Sequence, residues 1–253
     1  MMILHDLIHY LDTLLDIKSN PDLCPNGLQI FGSTHVNKII TGVTACQALL
    51  DAAIEKNADT ILVHHGYFWQ GEDPCVTGIK YNRLATLIKN NINLIACHLP
   101  LDSHVVYGNN VQLAKILNIN VDSSCLESNV APNYFFTGKP DTPQKPDDFV
   151  KHINHCLKRM PLHIAGKSTM INAIAWCAGA GQNFIDQAIE NNVDAFLTGE
   201  ITEKTVHIAR ENHIHLFVAG HHATERYGIK ALGEHLAKQF QIEHQFIDID
   251  SPI

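Results

Sequence analysis

The chain has 253 residues, is 45% hydrophobic and 17% charged, and carries a formal net charge of -8. That length can bury the core of one large domain or two modest ones. An acidic balance with no dense Lys/Arg tract argues against general nucleic-acid or anionic-membrane binding, and no apolar run is long enough to span a bilayer as a helix.

The first apolar positions, Leu4, Leu7, Ile8, Leu11 and Leu14, follow helical spacing. They predict an amphipathic helix rather than a signal peptide, since neither a cationic start nor a small-residue cleavage site accompanies them. Asn26-Gly27-Leu28-Gln29 reads as a polar turn. Residues 38–43 predict a strand entering a Gly turn, and 47–57 a helix. Residues 60–63 predict a short strand ending at His64-His65, 81–90 a helix, and 93–97 a strand. Strands and helices in alternation imply a largely parallel sheet covered by helices. The stretch 122–148 contains Pro132, Pro140, Pro143 and Pro146 and reads as a linker.

The same rhythm then returns. Gln47 to Leu62 and Gln182 to Leu197 share Gln, Asp, Ala, Ile, Glu, Asn, Asp and Leu in register, and residues 90–96 match 212–218 in type. An internal duplication of an α/β unit follows. The period is too long for a solenoid, so the expected fold class is α/β: two similar domains with mostly parallel sheets and a metal site in the cleft between them. The expected boundaries are 1–125 for the first domain, with the segment at about 240–253 returning to it, and 126–239 for the second. In this alignment His64 and His65 correspond to Gly199 and Glu200, and the His98 segment corresponds to that of Gly220. Both halves thus place polar residues at the carboxyl ends of equivalent strands, where open α/β sheets bind ligands.

The seven cysteines are odd in number and form no Cys-x-x-Cys pair. Reduced thiols in a cytoplasmic protein are expected, not a disulfide framework or a thiolate zinc site. The chemistry lies in three motifs that each follow an apolar run: His64-His65, Asp102 in His98-Leu99-Pro100-Leu101-Asp102, and His221 with Glu225. Imidazole and carboxylate ligands suit borderline divalent ions such as zinc, iron, manganese or nickel. Five ligands are enough for two ions. Adjacent His64 and His65 point to opposite sides of a strand and serve two neighbouring ions more easily than one. His221 and Glu225 share a helix face at i, i+4, and Glu225, with two oxygens, is the candidate bridge.

Against this stand plainer readings: a chance His-His pair, a turn or capping role for Asp102, and an exposed helix start at His221. His98 is a further ligand or a proton-transfer group. His104 is a substrate-facing or supporting group, or a surface residue. Glu200 is an acid or base in the cleft, or a cap. Tyr67, Phe68 and Trp69 wall a pocket or belong to the core.

The ordered set Asn26-Gly27-Leu28-Gln29, Val63-His64-His65-Gly66, His98 to Asp102, Gly108-Asn109-Asn110, Thr198-Gly199-Glu200 and Gly220 to Arg226 resembles the GTP cyclohydrolase I type 2 family, the Nif-three-like, YbgI-type proteins. The resemblance covers nearly the whole chain. It implies two α/β domains with a dinuclear metal site between them and a ring-shaped homohexamer. It also implies that His65, Asp102 and Glu225 hold one ion while His64, His221 and Glu225 hold the other. The implied reaction is water attack on guanine C8 of GTP, ring opening, loss of formate and formation of dihydroneopterin triphosphate. His98, His104 and Glu200 are the candidates for proton transfer, and Lys80, Arg83, Lys204 and Arg226 for triphosphate contacts. The alternatives are a two-metal phosphoesterase and a non-enzymatic metal-binding assembly, because fold does not fix substrate.

Overall fold

A computed structural model describes residues 2–127 and 133–253; Pro132 of the expected linker lies outside the described residues. The chain divides into two compact units, Met1–Tyr107 with Ile229–Ile249, and Gly108–Gly228 with Asp250–Ile253.

The first unit opens with a short strand β1 (Met2–Ile3), helix α1 (Leu4–Leu14), β2 (Gly27–Ile30), and β3 (His35–Val36), which pairs with β1. Then come β4 (Lys38–Thr44), α2 (Gln47–Glu55), β5 (Thr60–His65), α3 (Gly78–Lys89), β6 (Asn93–Ala96) and the short α4 (Leu99–Asp102). Its five-stranded sheet has the order β13-β4-β5-β6-β2, where β13 (Glu243–Phe246) is the returning strand. β13, β4, β5 and β6 are parallel, and β2 runs antiparallel at the edge. Side chains alternate across a strand. Leu62 and Ile95 therefore pack on one face with Leu7 and Leu11 of α1 and with Ile229, Leu232 and Leu236. Ile61, Val63 and Leu94 pack on the other face with Leu49 and Leu50 of α2 and Leu84 and Leu87 of α3.

The second unit runs through α5 (Asn109–Ile116), β7 (Ile119–Val121), β8 (Phe136–Pro140), α6 (Pro146–Leu157), β9 (Leu162–Ile164), β10 (Ile174–Cys177), α7 (Ile185–Glu190), β11 (Ala195–Thr198), α8 (Glu203–Glu211) and β12 (His215–Val218), and takes the start of α9 (His221–Phe240). Its sheet order is β7-β8-β10-β11-β12-β9, with β10, β11 and β12 parallel. Trp176, Leu197 and Phe217 face α5 and α6 through Leu113, Phe149 and Ile153. Ala175, Phe196 and Leu216 face α7 and α8 through Ile185, Ala188 and Ala209. Each unit is thus a helix–sheet–helix sandwich built on the same parallel β-α-β-α-β run, with an antiparallel strand beside the third parallel one: β2 beside β6, β9 beside β12.

The unit boundary falls after Tyr107 rather than at 125/126. Val111, Leu113, Ala114 and Leu117 belong to the core that contains Trp176, and β7 hydrogen-bonds to β8. The described part of the Pro-containing stretch lies inside the second unit, where Pro140 ends β8 and Pro146 opens α6, and is not the crossing point. The return to the first unit begins at Ile229, inside α9, earlier than about residue 240, because the apolar side chains of the helix from Ile229 onward pack with α1. No helix among the described residues is long and apolar enough to cross a membrane.

Candidate metal centre

In the first unit the ligand-type residues sit where β5 and β6 end. Thr60-Ile61-Leu62-Val63 is buried throughout and carries the chain through the sheet to His64, which is fully buried, and His65, which is partly exposed. The Nδ1–H of His64 donates to the carbonyl of Cys97 at 2.8 Å. A carbonyl only accepts, so the hydrogen of the neutral ring sits on Nδ1 and Nε2 is left with its lone pair. That Nε2 lies 3.5 Å from Oδ2 of Asp102. Asp102 is presented by α4, with Pro100 in the first turn and its own amide bonded to the His98 carbonyl.

His98 completes this half. Its ring centroid lies 5.0 Å from that of His64 and 5.6 Å from that of His65, and Trp69 meets it edge-on at 4.9 Å. Each of His64, His65 and His98 offers one ring nitrogen such that the three atoms lie within 4.8 Å of one another. Nδ1 of His98 bonds Asp22 at 2.8 and 3.1 Å. Asp22 also accepts from the amide of Leu99 at 2.9 Å and from the side-chain amide of Asn26 at 2.8 Å. Burial would raise the Asp22 carboxyl, but the hydrogen bonds from His98 and Asn26 and the charge of His98 outweigh it and hold it at about 2. The dyad therefore aims Nε2 of His98 at the histidine cluster. Burial pushes the thiol of nearby Cys24 up to about 12 and that of Cys97 higher still, so both stay neutral near pH 7. All seven cysteines are free.

The segment expected to be a polar turn is instead the start of the edge strand β2, and it does more than pair with β6. Asn26 accepts the amide of His98 at 2.7 Å. Gln29 accepts the amide of Tyr67 at 2.7 Å and donates to its carbonyl at 3.0 Å. Asn26-Gly27-Leu28-Gln29 thus brackets the ends of both β5 and β6. Neither its role nor that of Asp22 was visible in spacing alone, although the motif itself stood out.

In the second unit, Gly220 has φ +97 and releases the chain into α9, where His221 and Glu225 share a face. Nε2 of His221 lies 3.0 Å from Oε2 of Glu225, and Nδ1 lies 2.6 Å from Oε1 of Glu200. Burial would lower the His221 pKa, but the carboxylates of Glu225 and Glu200 overcome it and raise it to about 9. Two anions compete for one imidazole, a charge arrangement that a divalent cation satisfies. Gly179 has φ +63, and a side chain there would collide with the carboxylate of Glu225. Its amide donates to Thr224 Oγ1 at 2.9 Å. The backbone thus makes room for the Glu225 carboxylate and fixes the first turn of the helix.

The remaining candidates part company. Glu200 orients His221. His104 points into the backbone: its Nδ1 accepts the amides of Val106 and Tyr107 at 3.2 and 3.0 Å, and its ring stacks on Tyr107. Burial lowers its pKa, opposed by a bond to the Leu14 carbonyl. Among the described residues, the metal-type clusters contain His98 but not His104. Tyr67 is core, with its hydroxyl donating to Ala45 at 2.7 Å, while Trp69 lies against the histidines.

A family model described as Duf34/NIF3 (NGG1p interacting factor 3) matches residues 2–252. The chain belongs to the DUF34/NIF3 family. A Pseudomonas aeruginosa relative, named GTP cyclohydrolase 1 type 2 homolog, is 53% identical over 250 residues, covering 98% of each chain. A Pasteurella multocida relative of the same name is 48% identical over 250 residues, again covering 98% of each. Among solved structures, protein ybgI, described as of unknown function, superposes with a TM-score of 0.94 at 45% identity over 100% of both chains. A Thermus thermophilus protein superposes at 0.89 with 31% identity over 100% of both. For a DUF34/NIF3 chain, the His/Asp/Glu clusters at the strand ends and at the start of α9 are groups that can hold metal. The donor set is nitrogen and carboxylate oxygen, and the imidazoles of His64, His98 and His221 are each held at Nδ1, the arrangement typical of histidines whose Nε2 binds metal.

Proposed function

We propose that the two half-sites work together as the dinuclear centre of a hydrolase acting on a nucleotide or related heterocycle, with GTP as the substrate to test first. His65, Asp102 and Glu225 hold one divalent ion, and His64, His221 and Glu225 hold the other. Zinc, iron, manganese and nickel all fit these donors. The observation that carries the reading is the fixed Nδ1 of three imidazoles, which sets Nε2 of each as a lone pair or proton site. The name shared by relatives near 50% identity supports the cyclohydrolase assignment.

When bound, paired ions lower the pKa of a water and polarise the group it attacks. The chain's own residues do the rest. Asp22 fixes the ring of His98, and His98 Nε2 takes or returns a proton beside the histidine cluster. Glu200 holds His221 in orientation. Trp69 meets the His98 ring edge-on and limits its movement. We place the protein in the cytoplasm as a homohexamer.

The test is purified protein loaded with each metal in turn and supplied with GTP. Formate release that disappears in Glu225→Ala supports the cyclohydrolase reading. No formate above that variant's background ends it. Metal-dependent phosphate release from a nucleotide panel moves the assignment to a phosphoesterase, and stable partners without turnover move it to a non-enzymatic assembly.

A further inference from the structure

A cavity of about 390 Å³ opens in the first unit, lined by Tyr67, Glu72, Asp73, Thr77, Lys80 and Arg83 among others. That volume lies within the range of small-molecule sites, roughly 300–1,000 Å³. Its charges are unevenly satisfied. Lys80 Nζ lies 3.5 Å from Glu72 Oε2, donates to the Asp73 carbonyl at 3.0 Å and sits 5.4 Å from the Phe68 ring centroid. The Asp73 carboxylate accepts the amide of Cys75 at 2.9 Å. Arg83 is different. Its Nε is shielded from solvent and has no hydrogen-bond partner, and it enters no ion pair among the described residues. Burial pushes the Tyr67 phenol up while the Arg83 guanidinium pulls against that shift, which places the cation against the cavity wall.

Arg83 is half-buried, and a shielded Nε–H left without an acceptor is costly unless a ligand answers it. The planar guanidinium fork of N–H donors matches phosphate or carboxylate oxygens. The first turn of α3, which has no side-chain cap at Thr77, lines the same cavity, and the amides of a helix start favour anions. The place is also right. His65 ends β5 and Tyr67 follows two residues later, so their Cα atoms are at most about 7 Å apart.

We propose that this cavity is an anion subsite that receives the phosphate or polyphosphate part of the substrate, with Arg83 as the principal contact and Lys80 and the first turn of α3 as supporting ones. That the occupant belongs to a substrate rests on the hydrolase reading above; anion binding by the cavity does not, because no contact in it requires a metal.

The experiment is calorimetric titration of chelator-treated, full-length protein with pyrophosphate and tripolyphosphate at low salt. One anion bound per chain is expected, with affinity about tenfold or more weaker in Arg83→Met, the scale of a lost charge-assisted hydrogen bond. Arg83→Lys should restore part of it. Ile79→Glu is the folding-safe control: Ile79 is 70% exposed on the cavity lining, and a carboxylate there should weaken binding by repulsion. Glu225→Ala should bind the anion as the parent protein does. Absence of binding, or affinity unchanged in both Arg83→Met and Ile79→Glu, overturns the proposal, and citrate or malonate binding as tightly as tripolyphosphate overturns the phosphate assignment. Anion binding that behaves as expected while no nucleotide is hydrolysed leaves the subsite standing and removes only the hydrolase reading. Turnover of a nucleotide with KM unchanged in Arg83→Met does the reverse.

Discussion

The two units carry the same fastenings at the amino ends of their strands and different chemistry at the carboxyl ends. Asp59 accepts the amides of Asn37 and Lys38 and the Asn37 side chain. Asp194 accepts the amides of Asn172 and Ala173 and the Asn172 side chain. Asn93 is buried and ties down Gly32 and Ser33. At the matching position, buried His215 ties down Gly166 and Ser168 through both ring nitrogens. Gly32 and Gly166 both press against the backbone just before β6 and β12. Asn57 and Asn192 both take positive φ, 53° and 51°. Where the strands end, the likeness stops: His64-His65 in one unit faces Gly199-Glu200 in the alignment of the other, and His98 faces Gly220. Groups that close the fold recur in both copies, whereas the ligand-type groups at the carboxyl ends are free to diverge once the sheet holds its shape.

That contrast can be broken by substitution. The largest effect is expected at the carboxyl ends. Glu225→Ala should abolish metal-dependent turnover and reduce bound metal measured by elemental analysis, while leaving the cooperative melt of the protein in place; full metal content with full activity would refute the ligand role. Asp22→Asn keeps the shape of the dyad and removes its charge. Turnover should fall about 10- to 100-fold, the usual cost of losing a carboxylate behind a functional histidine, while bound metal measured by elemental analysis stays at the parent level; a loss of metal instead would make His98 a ligand.

At the amino ends the effects should be on stability and should be paired. Asp59→Ala and Asp194→Ala each strip four backbone or side-chain donors of their acceptor, and each should cost about 1–3 kcal/mol in denaturant unfolding, with metal affinity unchanged. A loss confined to one of them would break the equivalence of the two units. Asp194 also gives a pH test. Burial would raise its carboxyl, but bonds from Asn172, Ser168 and Ala173 hold it below the usual carboxylate range. Its contribution is therefore complete above the unfolded value of about 4 and fades as pH falls below it. Asp194→Ala should flatten that part of the acid limb of a stability-against-pH curve. The smallest effect belongs to Asn57→Gly and Asn192→Gly, where relief of positive φ is set against backbone entropy and the net change should stay below about 1 kcal/mol in either unit.

Much of this was legible in order along the chain. The runs at 38–43, 60–63 and 93–97 and the helices between them appear close to their expected places, because burial on both faces of a central parallel strand leaves an unbroken apolar run. The duplication was legible because the paired segments keep their Asp and Asn fastenings in register. His64, His65, Asp102, His221 and Glu225 stood out as ligand types following such runs. The unit boundary was not legible, since β7 is placed by hydrogen bonds to β8 and no local pattern says which sheet a three-residue strand will join. Nor were the roles of His98, His104 and Glu200 separable. All three are polar residues at or near motifs that follow a strand, and their surroundings depend on whether Asp22, the backbone at Val106 and Tyr107, or His221 lies within bonding distance.

The sequence by itself determined the alternation of strands and helices, its repetition, and the residue types available to bind a cation, since each of these is written in local periodicity and composition. Only the tertiary structure decided which nitrogen of each histidine is held, which carboxylates meet His221, and that Arg83 Nε is shielded without a partner among the described residues. Those properties depend on contacts between residues tens of positions apart, and only the packing of the sheet and its helices sets such distances.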